Sequence, residues 1–255
     1  MLRDTITLRV DTVLAMIRWR EAEPHPVLAS VPTWHDDDAL RSLDQHARAE
    51  LAGLGLTDDP DLDDAVGLLV RPDRELYGWI DTTFDGRRRE YGVLAVSGYG
   101  GALLAVHEFD NGVVALLGAR PEELLAAFLA QLPDAPAADG ESVTMPYDEL
   151  EAATAPRGEG FGGFSRRPVN PNVRAALRIL ARPRWGGGNL YAARKTANGH
   201  RVRAESPVTF IDTDDGRWLT MVSGRDGQRW ATAAPATPQL IADRLREQES
   251  LIVTG

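Results

Sequence analysis

The stretch Leu190–Leu245, LYAARKTANGHRVRAESPVTFIDTDDGRWLTMVSGRDGQRWATAAPATPQLIADRL, decides how the rest of the chain is read. Short β-prone runs alternate with Asn198-Gly199, Asp215-Gly216 and Asp226-Gly227, dipeptides that accept the positive φ angles of tight hairpin turns. Val208–Thr213, Arg217–Val222 and Arg229–Ala234 are therefore expected to be consecutive antiparallel strands. Thr237 offers a capping hydroxyl and Pro238 a first-turn proline, so a helix should follow. Leu240, Ile241 and Leu245 share one side of that helix, while Asp243, Arg244 and Arg246 lie elsewhere, which gives it a face to lay on a sheet. The unit is a meander closed by a helix, without an obvious catalytic group.

An earlier part of the chain repeats this plan. Aligned without a gap from Asp59-Pro60 and Asn170-Pro171, Leu62 falls on Val173, Val66 on Leu177, Leu68 on Ile179, Leu69 on Leu180, and Arg71-Pro72 on Arg182-Pro183. Each copy has a capped helix start, an apolar stripe at helical spacing and a proline that stops the helix. Leu124, Leu125, Ala126 and Leu129 match Leu240, Ile241, Ala242 and Leu245. Ile6–Asp11 resembles Val143–Asp148. The order of matches implies two halves, 1–133 and 141–255, joined by the linker 134–140 and sharing one sheet.

Along the first half, Thr5–Val10 reads as a strand and Asp11 as the cap of a short helix carrying Val13, Leu14 and Ile17. After a proline-spaced connector, Ala39–Leu54 should be a helix that buries Leu40, Leu43, Ala47, Leu51 and Leu54. Glu75–Phe84, Tyr91–Ser97, Ala102–Glu108 and Val113–Leu117 read as a four-strand meander, turned first at Asp85-Gly86, and Pro121–Leu132 as its closing helix. In the second half, a helix is expected at Tyr147–Ala155, followed by the glycine- and arginine-rich loop Pro156–Asn172. Its Gly158–Gly163 lacks the preceding strand, the following helix and the lysine of a phosphate loop.

Composition excludes several classes. The chain has 255 residues, 43% of them hydrophobic, and a formal charge of −10, which argues against binding a phosphate backbone. No apolar run is long enough to span a membrane, and MLRDTITLRV lacks the apolar region of a secretory signal. The absence of cysteine removes disulfides and thiolate chemistry and fits a cytoplasmic protein. His25, His35, His46, His107 and His200 are scattered without paired ligand spacing, so neither a metal nor a catalytic residue is assigned. His35 beside Asp36, Asp37 and Asp38 is read as a helix start, because successive residues there point apart. Neither cofactor, nucleic acid nor membrane is expected as a partner.

Leu190-Tyr-Ala-Ala-Arg, Val208-Thr-Phe-Ile-Asp-Thr213, Gly216-Arg-Trp-Leu219 and Trp230-Ala-Thr-Ala-Ala-Pro235 resemble motifs of the EspG family of type VII (ESX) secretion-associated proteins. Pro26-Val-Leu28 and Arg71-Pro-Asp-Arg-Glu-Leu76 extend the likeness into the first half. The resemblance implies an α+β fold, with one central antiparallel sheet, flanking helical bundles and a quasi-twofold internal duplication. It also implies a cytoplasmic chaperone that binds a PE–PPE heterodimer, or a related secretion substrate, at the apolar tip of the PPE subunit. The alternative is a non-catalytic oligomeric or small-ligand-binding module, with a homodimer formed through an uncovered sheet.

Seven residues are candidates for the partner-binding surface. Arg87, Arg88 and Arg89 follow the Asp85-Gly86 turn, where they are either solvated or a partner contact, since an arginine fork both stacks and pairs with carboxylates. Trp218 and Trp230 fall on neighbouring strands and are expected to pack together, in the core or on an open sheet face. Arg217 and Arg229 alternate with them and should lie on the opposite face.

Overall fold

The computed structural model describes residues 2–29, 35–155, 170–196, 198–224 and 228–254. Strand β1 (Ile6–Arg9) leads into helix α1 (Val10–Arg18), then α2 (Asp37–Gly53) and α3 (Pro60–Val70). Strands β2 (Arg74–Phe84), β3 (Arg87–Gly98), β4 (Gly101–Glu108) and β5 (Val113–Ala119) follow. A 3-10 turn at Pro121–Glu123 opens the short helix α4 (Leu124–Leu129). The second series comprises β6 (Val143–Pro146), α5 (Tyr147–Thr154), α6 (Pro171–Leu180) and β7 (Arg184–Lys195). It continues with β8 (Arg201–Arg203), β9 (Val208–Thr213), β10 (Gly216–Ser223), β11 (Trp230–Pro235) and α7 (Pro238–Thr254).

One antiparallel sheet takes up every described strand, in the order β1-β5-β4-β3-β2-β7-β9-β10-β11-β6, with β8 pairing β7 outside that path. The order is a palindrome of two equivalent series. Each begins with the strand that ends up at the outer edge and continues with the strand that ends up at the centre. The meander then returns outward to pair with the edge strand. The α+β class and the quasi-twofold plan are thus both present in the sheet. Local chemistry repeats as well. The Asp59 carboxylate accepts the Leu62 N–H at 2.8 Å and the Asn170 side chain accepts the Asn172 N–H at 3.0 Å, each just before a proline in the first turn. Asp85 and Gly86, at φ +49° and +72°, form the two-residue turn between β2 and β3.

Helices cover the sheet unevenly. On one face, α1 and α3 pack over the first half through Val13, Ile17, Leu62, Val66 and Leu69 against Leu8, Leu94, Val96, Leu103 and Leu116. On the same face of the second half, α6 places Ile179 against Ile211, Trp218 and Ala233, and Val173 and Ala176 against Met145 and Ala231. The opposite face is centred on α4 and α7. Their Leu124, Phe128, Ile241 and Leu245 close over Leu76, Ile80, Val93, Leu104, Leu190, Phe210 and Leu219 from both halves. Thr237 caps α7 as expected, its hydroxyl accepting the Leu240 N–H at 3.1 Å. The helix then reaches back across the molecule, where Glu249 holds Arg74 at the start of β2.

Three local expectations change. Helix α1 starts two residues early, with Arg9 in the capping position, so Asp11 contributes its charge to the first turn instead of capping it. Only Ala47 and Leu51 of α2 are buried, and Leu54, which follows its last turn, is 53% exposed. The stretch after α4 lies along β10: Arg217 N–H donates to the Pro136 carbonyl at 2.7 Å and Ala138 N–H to the Arg217 carbonyl at 3.0 Å. The Asp226-Gly227 turn and residues 156–169 of the glycine-rich loop lie outside the described residues.

The ion pair of Arg217 with Asp212 is buried on both sides, with Nε and Nη2 at 2.6 and 2.8 Å from the two carboxylate oxygens. Nη2 also donates to the Pro133 carbonyl at 2.7 Å, so the pair ties the junction of the halves to the sheet. Removing one partner strands a charge in the interior, and Asp212→Asn should destabilise the protein by about 3 kcal/mol or more in urea unfolding.

Candidate partner-binding surface

The structure disperses the seven candidate residues. Arg87, Arg88 and Arg89 are exposed and belong to β3, paired with Phe84, Thr83 and Thr82 of β2. They line a groove with Tyr91, Glu108 and Asn111. Arg88 lies 2.9 Å from Glu90 and 3.6 Å from Asp81, and Arg89 lies 3.1 Å from Glu108. Arg217 and Trp218, only 4% and 2% exposed, face the interior and give no partner a surface. The two tryptophans do not meet: Trp218 is opposite Pro235 and Trp230 opposite Ser223, at the two ends of the β10–β11 ladder. Trp230 is 47% exposed, and Arg229 sits 4.2 Å over the Tyr147 ring and 3.6 Å from Asp148. Among the described residues, no three His, Asp or Glu side chains come together as metal ligands.

A second surface lies on the sheet itself and contains none of the seven candidates. At the centre of the face shared by α3 and α6, α3 packs on β3 and β4 while α6 reaches β6, which leaves β2 and β7 without a helix over them. Strand alternation brings Tyr77 and Trp79 of β2 beside Tyr191 of β7. The Tyr77 and Tyr191 rings stack at 5.2 Å, and Trp79 meets both edge-on. Trp79, Tyr191 and Thr209 are half-buried and Asn189 is exposed, so the patch joins aromatic surface to amide and hydroxyl groups. Tyr77 itself is only 2% exposed, and the accessible groups are the Trp79 and Tyr191 rings with an amide and a hydroxyl, a mixture that suits another polypeptide better than a small reactant. The only signal for it in the sequence was the alternation of Tyr77 and Trp79 along β2.

One rim of this floor is fixed by a buried carboxylate. Glu75, 3% exposed, receives Arg201 Nε at 2.9 Å and Nη2 at 2.7 Å. His25 Nδ1 accepts the Val27 N–H, which leaves Nε2 as the donor facing Glu75 at 3.4 Å. Burial pushes the Glu75 carboxyl upward, but the hydrogen bonds from His25 and Arg201 and the Arg201 charge prevail and hold it below its ordinary value of 4.5. Because the folded pKa is the lower one, the stabilisation is complete above 4.5 and disappears as the pH falls through the folded value. Glu75→Gln should therefore lower stability by about 2 kcal/mol at neutral pH. Denaturant titrations at pH 7 and pH 3 should show the gap between variant and parent closing in acid.

The model of the EspG family matches residues 10–247. The chain is also similar in structure to the Mycobacterium tuberculosis type VII secretion system chaperone EspG5, solved in complex with a PE25–PPE41 dimer. The TM-score is 0.68 at 19% identity, with 95% of each chain covered. No curated protein matches the sequence. Among the described residues no helix is long and apolar enough to cross a membrane. With nearly the whole chain inside the family model and the doubled sheet in place, this protein belongs to the EspG family.

Proposed function

We propose that the chain is a non-enzymatic, cytoplasmic chaperone for type VII secretion, which binds a PE–PPE heterodimer and masks an apolar part of its PPE subunit. The observation that carries this reading is the uncovered centre of the sheet, where Trp79 and Tyr191 sit half-buried between the two helical layers. The family membership and the solved EspG5 complex supply the class of partner. The halves 1–133 and 141–255, linked through 134–140, act as one body, because β2 and β7 are neighbours in a single sheet. Of the seven sequence candidates, Arg87, Arg88, Arg89, Arg229 and Trp230 remain accessible and are retained as partner contacts; Arg217 and Trp218 are retained only as support for the sheet.

Chaperoning of this kind works by mass action. A partner surface that is covered is withdrawn from self-association, and a hundredfold excess of chaperone over Kd stabilises the soluble form by about 2.7 kcal/mol. An effective interface should bury at least about 1,000 Å² in total.

Co-expression with each PE–PPE pair of the source genome, followed by size exclusion, should give a co-eluting complex. Co-elution with none, together with a homodimer of this chain, would instead favour the oligomeric module. Replacing Arg87, Arg88 and Arg89 with serine should weaken the complex about fivefold in titration calorimetry, whereas an unchanged Kd would return the three arginines to the solvated surface.

A further inference from the structure

Strand β8 has no place in the repeated order of the sheet. It belongs to an excursion between β7 and β9 that turns at Asn198-Gly199 and folds back along β7, pairing Ala193 with Arg203 and Lys195 with Arg201. Ala204 N–H donates to the Ala192 carbonyl at 2.9 Å, which continues the attachment. Alternation places Arg201 and Arg203 on the face that carries Tyr77 and Tyr191. Their guanidinium carbons lie 5.5 Å over the Tyr77 ring and 5.1 Å over the Tyr191 ring.

The two arginines differ in what remains available. Arg201 is committed to Glu75 and anchors the arm to the sheet. Arg203 is exposed, and no carboxylate among the described residues pairs with it. The guanidinium makes a cation–π contact with Tyr191, and no hydrogen bond among the described residues takes up its N–H donors, which remain for a second ligand. The arm thus sets a cation beside the uncovered aromatic floor of a chain whose formal charge is −10. Farther along β2 the same face carries Asp81, which already has Arg88 3.6 Å away, so the arm is what distinguishes the end at Arg203.

We propose that Arg203 is the residue by which this sheet face selects and orients its polypeptide partner. It receives an aspartate or glutamate carboxylate that neighbours an apolar side chain seated on Trp79 and Tyr191. A quasi-twofold scaffold alone would accept a partner either way round. The arm exists in one half only, so a carboxylate finds the Arg203 cation beside the aromatic floor at one end and no equivalent arm at the other. This assignment rests on the chaperone reading above.

The test uses the PE–PPE heterodimer that co-elutes with the parent chain, titrated against Arg203→Ala, Arg203→Lys and Arg203→Glu at several NaCl concentrations. Arg203→Ala should weaken Kd about tenfold and Arg203→Glu further. The lysine variant should fall between parent and alanine, because its compact ammonium gives the charge without the planar fork. The alanine variant should also lose part of the salt dependence. Unchanged thermal midpoints would show that the losses are not unfolding. Converting the responsible acid of the heterodimer to arginine should restore binding to Arg203→Glu. Variants within twofold of a parent that does bind would overturn the role of Arg203 alone. A parent that binds no heterodimer would overturn the chaperone reading and this assignment together.

Discussion

The antiparallel ladder between β2 and β7 is the constraint on which the rest of the structure depends. It runs from Arg74 opposite Arg194 to Thr82 opposite Gly186 and makes two meanders into one sheet. Strands so close need small residues at particular points. A methyl group on Gly78 would come within 2.7 Å of the Asn189 carbonyl and the Leu190 side chain, and one on Gly188 within 2.9 Å of the Trp79 carbonyl. Glycine costs some backbone entropy in a strand, and here that cost permits the central contact. Once the ladder is made, the edge strands β1 and β6 lie at the two extremes, and both flanking layers follow.

That arrangement separates support from recognition. Helices α4 and α7 close one face over side chains from both halves, and the pair of Arg74 with Glu249 fastens α7 to β2. The other face has separate helical layers over each half, with an aromatic floor between them. Buried carboxylates stand at the margins of this frame: Asp212, held by buried Arg217, at the junction, and Glu75, held by partly exposed Arg201, beside the floor. Both carboxylates accept several hydrogen bonds, the condition under which a buried charge is tolerated. Tyr91 serves the same frame. Its hydroxyl donates to the Gln131 carbonyl at 2.7 Å, and burial pushes its pKa up to about 12, so it stays neutral at the end of α4.

The asymmetry of the two halves matters as much as their likeness. Repetition explains the strand order, yet only the second half has the β8 arm, and the arm brings arginines over Tyr77 and Tyr191. A doubled scaffold gives a broad surface cheaply in sequence terms, and a single-sided insertion gives that surface direction.

The sequence by itself determined the features whose energies are local. Asn198-Gly199 and Asp85-Gly86 turn the chain, Asp59, Asn170 and Thr237 cap helices, and alternation along Glu75–Phe84 sorts Leu76 from Tyr77. Because Asp59-Pro60 and Asn170-Pro171 open equivalent helices, each followed by a meander and a closing helix, the duplication was legible too. Only the tertiary structure decided which alternating face stays uncovered. That depends on where α3 and α6 come to rest, which is on β3, β4 and β6 and not on β2 and β7, the strands that directly follow them in the chain. Tertiary structure buried Arg217 and Trp218, which alternation had left as candidates, and it set Trp218 and Trp230 at opposite ends of the β10–β11 ladder. It also brought Arg203 over Tyr191, a contact set by the β7–β8 register, which short-range patterns leave open.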